Sequence, residues 1–149
     1  MNLSELETPA LVLDADRIDA NVARMRGKIA SFGVTLRPHV KTCKNVQIAR
    51  LMLGAERGPI TVSTLKEAEY FAAHGFTDIF YAVGITPNKL DHAARLMAAG
   101  VDLSLVLDSV DAARDVSAFC AARRCESPAL VEIDSDGHRG GVKPESDLL

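Results

Sequence analysis

Apolar residues recur in two rhythms along this chain. Ile18, Val22, Met25, Ile29 and Phe32 are spaced by fours and threes, the stripe of an amphipathic helix. Asp14 or Asp16 can cap its start, and Gly33 stands where a C-terminal cap belongs. The other rhythm is a set of short apolar runs. Thr8–Asp14, Leu36–Lys41, Ile60–Ser63, Asp78–Val83, Asp102–Leu107 and Ala129–Asp134 each read as a strand. Between them lie helical stretches with their own punctuation. One runs from about Lys44 to Leu53 and ends at Gly54. Thr64-Leu65-Lys66-Glu67 spells a capping box for a helix reaching His74, with Gly75 after it. Thr86-Pro87 supplies an N-cap and a proline at the first helical position, Leu90, Ala94 and Met97 face inward, and Gly100 closes that helix. Ser109 caps a helix through Val110, Ala113, Val116 and Cys120, before a break at Ser127-Pro128. Strand and helix alternate strictly after residue 16, which implies a parallel sheet with crossover helices. Pro38 stands against this, because it removes a ladder donor from a strand that the pattern makes central.

Composition narrows the class. A chain of 149 residues, 48% hydrophobic and 25% charged, can bury the core of one ordinary domain. A net charge of −3 and the absence of Trp argue against a nucleic-acid partner. Met1-Asn2-Leu3-Ser4-Glu5 lacks a secretory pattern, and no apolar run approaches the ~20 residues of a membrane span, so a cytoplasmic protein without a membrane partner is expected. Cys43, Cys120 and Cys125 suit neither a disulfide framework nor a paired zinc site, and free thiols are expected.

The chemistry concentrates at Leu36-Arg37-Pro38-His39-Val40-Lys41-Thr42-Cys43-Lys44. Side chains alternate along a strand, so Arg37, His39 and Lys41 share one face. Three basic groups together are costly to bury without an anion among them. In parallel α/β folds the ligand site lies at the carboxyl ends of the strands, which is where Lys41 falls. An amine buried there beside cations gives up its proton more readily, as imine chemistry with an aldehyde requires. The competing reading is a solvated lysine at a strand end. His39 serves either as a proton carrier or as a packed neighbour of Lys41. Arg139 lies in Ser135-Asp136-Gly137-His138-Arg139-Gly140-Gly141-Val142, a glycine-rich loop after the last strand, and can bind a planar anion there or sit free on the surface. Asp134, Asp136 and His138 have a spacing open to a divalent cation, or to turn and cap duty. Cys43 beside Lys41 and His39 is a weaker nucleophile candidate. His74 and His92 read as helix-end and helix-surface residues, and His138 points away.

Arg37-Pro38-His39-Val40-Lys41-Thr42, with Thr8-Pro9-Ala10-Leu11-Val12-Leu13-Asp14 upstream, resembles the N-terminal half of the D-threonine aldolase and D-serine dehydratase family. These are pyridoxal-phosphate enzymes of the alanine-racemase barrel type. Thr64–Glu69 resembles the family's second β/α junction, and Glu132-Ile133-Asp134-x-x-Gly137-x-Arg139-x-Gly141-Val142 its second signature. Cys43 stands where the family pattern has a histidine. The resemblance implies a (β/α)8 TIM-barrel-type parallel sheet, with only about the first five β/α units in this chain. Residues 1–15 would be an N-terminal strand that packs with a C-terminal β domain, and residues 16–149 part of the barrel. Lys41 would carry pyridoxal 5′-phosphate as an imine, with Arg139 at the phenolic oxygen or the substrate carboxylate. Arg37 would line the cofactor site, and His39 would share the catalysis. Any divalent metal would be held by residues that this chain lacks.

The function so implied is a lyase, an aldolase or dehydratase, acting on D-3-hydroxy amino acids such as D-threonine or D-serine, and working as a homodimer. An alanine-type racemase is the alternative within the family. A small α/β binding domain of flavodoxin type, or a noncatalytic pyridoxal-phosphate carrier, is the alternative outside it.

Overall fold

A computed structural model describes residues 2–145. The chain forms two compact units, Met1–Leu36 and Arg37–Leu149. The first holds a 3-10 turn, Leu3–Glu5, and helix α1, Ala15–Ser31. Asp14 caps α1 by accepting the Arg17 amide at 3.0 Å, and Gly33 follows the helix with φ +66°. The strand expected over Thr8–Asp14 does not form. Alternating apolar side chains become a strand only when a neighbouring strand takes up the backbone groups, and no described residue does so for Thr8–Leu13, while Asp14 O accepts Ile18 N–H within the start of α1. Leu11 is 90% exposed as a result.

In the second unit strands and helices alternate as the pattern implies, except that Leu36–Lys41 forms a single bridge at His39 and not a strand. The elements are α2 (Val46–Leu53), β1 (Ile60–Val62), α3 (Leu65–Ala72), β2 (Asp78–Tyr81), α4 (Pro87–Ala98), β3 (Asp102–Leu107), α5 (Val110–Arg123) and β4 (Ala129–Val131). Asn45, Thr64 and Ser109 cap α2, α3 and α5 by accepting the amides of Ile48, Glu67 and Ala112. Thr86 precedes α4 but makes no such bond, because its hydroxyl turns to Asn88 Oδ1 at 2.6 Å.

The strands pair in parallel in chain order, β1–β2–β3–β4. The Lys41 segment adds itself beside β1 through one bridge, His39 to Thr61. Thr61 N–H donates to Pro38 O and Val40 N–H to Thr61 O, both at 2.9 Å. Pro38 thus serves as an acceptor at the start of the ladder, where its missing N–H matters least. Right-handed crossovers between strands in chain order put α2, α3, α4 and α5 on one face of the sheet. A doubly wound sheet needs a reversal of strand order, and there is none here, so the flavodoxin-type alternative is excluded. The five consecutive parallel positions are the wall of a β/α barrel.

The core lies between this wall and its helices. Val40, Ile60, Val62, Ile79, Tyr81, Leu103 and Leu105 pack against Ala49, Ala68, Phe71, Ala93, Leu96 and Val116. Alternation turns their neighbours to the other face. Register lines those up as His39, Thr61, Phe80 and Ser104, one from each successive strand.

Candidate active site

Immediately after its bridge to Thr61, the Lys41 segment turns. Lys44 N–H donates to Val40 O at 2.8 Å, and Cys43 Sγ donates to the same carbonyl at 3.5 Å. Lys41 sits exposed in this turn and not buried as expected. Its N–H donates to His39 Nδ1 at 3.3 Å. That bond needs an unprotonated Nδ1, which leaves the ring proton on Nε2. Burial, the largest influence, lowers the His39 pKa below 6.5. The Lys41 charge lowers it further, and the Glu67 carboxylate opposes both without reversing them. Cys43 faces the core, so it has the place of a packing residue and not of a nucleophile.

Glu67 is the residue that sequence reasoning undervalued. A capping box sends this carboxylate back to the N-cap amide. Here it reaches one residue further, accepting Ser63 N–H at 2.8 Å and Ser63 Oγ–H at 3.1 Å. Lys44 Nζ lies 3.3 Å away. Only 7% of Glu67 is exposed. Burial pushes its pKa up, but the bonds from Ser63 and Lys44 outweigh burial and hold it below 4.5. The signal available in sequence was an acidic residue four places after a strand end, which fits many helices.

Arg37 and Lys41 are not brought together. The Arg37 guanidinium lies 2.6 Å from Asp78 Oδ1 and also donates to Ile60 O and Asp78 O. Ile60 and Asp78 begin β1 and β2, so Arg37 belongs to the amino end of the sheet. Alternation predicts a face but not an end, and Arg37 and Lys41 lie on opposite sides of the one bridged residue, His39.

Arg139 is exposed on a loop that Asp134 organises. Asp134 Oδ1 accepts the amides of Gly137 at 3.0 Å and Arg139 at 3.3 Å. Asp134 N–H donates to Val142 O and Val142 N–H to Glu132 O, each at 2.9 Å. Gly141 is required at that crossing. Its φ is +117°, and a β-carbon would lie 2.8 Å from both Asp134 N and Glu132 O. Asp136 accepts the His138 amide at 3.3 Å. These acids therefore hold turns, and among the described residues no three His, Cys, Asp or Glu groups are arranged to hold a metal ion. The Arg139 loop follows β4 and the Lys41 turn follows His39, which bridges in parallel to β1, so both lie at the carboxyl end of the sheet. Four strand steps separate them, about 19 Å along the sheet, and only curvature shortens that span.

His92, read as a helix-surface residue, is half-buried with Nε2 2.7 Å from Glu69 Oε1. It lines a hollow of about 330 Å³ with Ser63, Thr64, Tyr81 and Lys89. His74 Nδ1 lies 2.7 Å from Tyr70 O at the end of α3.

The family description "Alanine racemase, N-terminal domain" matches residues 13–149. The chain belongs to the alanine racemase N-terminal domain family. Among curated members it is 49% identical over 140 residues to D-threo-3-hydroxyaspartate dehydratase of Delftia sp. (strain HT23), and the match covers 94% of this chain. It is 33% identical to 3-hydroxy-D-aspartate aldolase of Paracoccus denitrificans, over 95% of the chain, and 30% identical to D-serine dehydratase of Dictyostelium discoideum, over 97%. The chain spans 37% to 38% of these relatives' own lengths. The solved Delftia dehydratase superposes with a TM-score of 0.89, covering 93% of this chain and 36% of that one. D-threonine aldolase from Filomicrobium marinum superposes at 0.83 with 32% identity, covering 95% and 38%. An alanine racemase of Clostridium difficile, 14% identical at 0.65 and covering 87% and 33%, shares the fold of this family, the barrel described above.

Proposed function

We propose that the protein carrying this chain is a pyridoxal-phosphate-dependent lyase, a dehydratase or aldolase, acting on D-3-hydroxy amino acids. The observation that carries the proposal is Lys41, an exposed amine at the carboxyl end of a barrel strand with a neutral-leaning imidazole bonded to its own amide. The relatives named above support it, since their names specify D-amino acids with a hydroxyl on the carbon next to the α-carbon.

The residues present fit the cofactor. A primary amine, an imidazole, and an Arg139 guanidinium with no ion pair among the described residues form a donor set for an anionic aldehyde. Lys41 would hold it covalently, and Arg139 would hold its phenolic oxygen or the substrate carboxylate. Bound there, the cofactor supplies an electron sink for a bond at the substrate's α-carbon. His39, whose Nδ1 accepts the Lys41 amide, would keep its ring proton on Nε2 and could pass it on. Arg37, paired with Asp78 at the other end of the sheet, is left out of this site.

The same proposal extends to the whole protein. Residues 1–15 pack with a C-terminal β domain, two copies associate, the protein works in the cytoplasm, and a divalent metal acts through residues not in this chain. The Delftia enzyme has been solved in a form named as metal-free. No helix among the described residues is long and apolar enough to cross a membrane.

The test is to add pyridoxal phosphate to the whole protein, follow absorbance near the visible, reduce with borohydride and map the modified lysine. Label on Lys41 is expected, and its absence from Lys41 overturns the proposal. Turnover of D-threo-3-hydroxyaspartate, D-threonine and D-serine, with and without divalent metal, is expected to show elimination or cleavage, and D-alanine, which has no β-hydroxyl, is expected to be left unchanged. Racemisation of D-alanine alone would establish the alternative.

A further inference from the structure

We infer that Glu67 is a positioning residue for Lys41, acting through Lys44 rather than by touching cofactor or substrate. The inference rests on the reading of Lys41 above, and three observations carry it.

Lys44 adopts φ +44°, in the left-handed region. A residue with a β-carbon stays there only when its surroundings hold it. Two contacts do so here: its amide bond to Val40 O and its ammonium contact with Glu67. Glu67 is itself fixed, being buried and bonded twice by Ser63, which directly follows β1. The turn bearing Lys41 is therefore tied at both ends to the same strand. Ladder bonds from Pro38 and Val40 to Thr61 anchor its start, and the Lys44–Glu67–Ser63 chain anchors its end.

The arrangement also sorts the two amines. Lys41 and Lys44 lie three residues apart in one turn, and either could react with an aldehyde. The carboxylate engages Lys44, and Lys41 has no ion pair among the described residues, so the choice of reactive lysine follows from the Lys44–Glu67 pair. Glu67 also acts on His39, where it is the one charge that opposes burial and the Lys41 ammonium.

A simple helix-cap role for Glu67 makes different predictions, and Lys44 separates the two. In the whole protein, pyridoxal phosphate followed by borohydride and peptide mapping reports the share of label on each lysine. Lys44→Met, which leaves the α3 cap intact, is expected to cut cofactor capture at Lys41 about fivefold, a modest loss because Lys44 is more than half exposed. Its circular dichroism and melting temperature should stay near wild type. Lys44→Arg keeps the ion pair and should label like wild type. Glu67→Gln should show the same loss, shift part of the label to Lys44, and move the His39 titration to lower pH by NMR, since Lys41 and Glu67 are the charges acting on that ring. The double variant Lys44→Met, Glu67→Gln should fall no further than either single one. Unchanged labelling in Lys44→Met overturns the inference, whatever Glu67→Gln does. Wild-type protein without label on Lys41 overturns the parent reading instead.

Discussion

His39 and Glu67 make the site sensitive to pH in two separate windows. His39 is held below 6.5 in the folded state, so between its folded and unfolded values the unfolded chain binds the extra proton. Stability linked to His39 is therefore complete above pH 6.5 and is lost as pH falls through the lowered folded value. Glu67 is held below 4.5, and its contribution is lost further down, as pH falls through its own lowered value. Urea denaturation across a pH series should show this order. His39→Gln should flatten the slope just below pH 6.5 and leave the acid limb unchanged, whereas Glu67→Gln should flatten the acid limb. At this scale the chain was partly legible. The place of Lys41 and Arg139 at the carboxyl end of the sheet could be read, because both follow strand-like runs in an alternating α/β pattern. Arg37 was misplaced, because alternation is blind to direction along the strand and the Asp78 carboxylate draws its side chain to the amino end. Lys44 and Glu67 went unpaired in the sequence because their contact needs the turn and α3 already in place.

Elements tell a similar story through their ends. Thr64 and Thr86 look alike as N-caps, yet only Thr64 bonds an amide of its helix. Thr64→Ala should cost about 1 kcal/mol, and Thr86→Ala should stay within about 0.5 kcal/mol, both read by chemical denaturation. The Thr86 hydroxyl is committed elsewhere, donating to Asn88 Oδ1 at 2.6 Å. The Arg139 loop depends on backbone shape. Gly141→Ala would force a β-carbon against Glu132 O and Asp134 N at a φ that alanine avoids. A loss of about 1–3 kcal/mol is expected, together with weaker cofactor capture in the borohydride assay. The glycines of this loop could be read as a turn from sequence. The role of Asp134 as its internal acceptor could not, because carboxylates at strand ends serve metals, caps and turns alike.

For the whole molecule, the sheet carries its apolar residues to the margin. Leu130 and Val131 on β4 are 56% and 54% exposed, and Ile133 beyond it is 44% exposed. A strand paired on one side with exposed apolar groups is a template for further pairing. The 149-residue chain expressed by itself should associate with rising concentration in sedimentation, and Val131→Lys should reduce that association. A chain that sediments as a monomer at all concentrations would contradict this. The sequence by itself determined the alternation of strands and helices, the residues that start and stop most of them, and the junctions that carry Lys41 and Arg139, because these depend on local periodicity and on backbone groups a few residues apart. Only the tertiary structure decided that the strands lie in chain order, that Thr8–Asp14 forms no strand, and that Arg37 pairs with Asp78 and Lys44 with Glu67. Those outcomes depend on which backbone groups and charges meet across long stretches of chain, and no local pattern records such meetings.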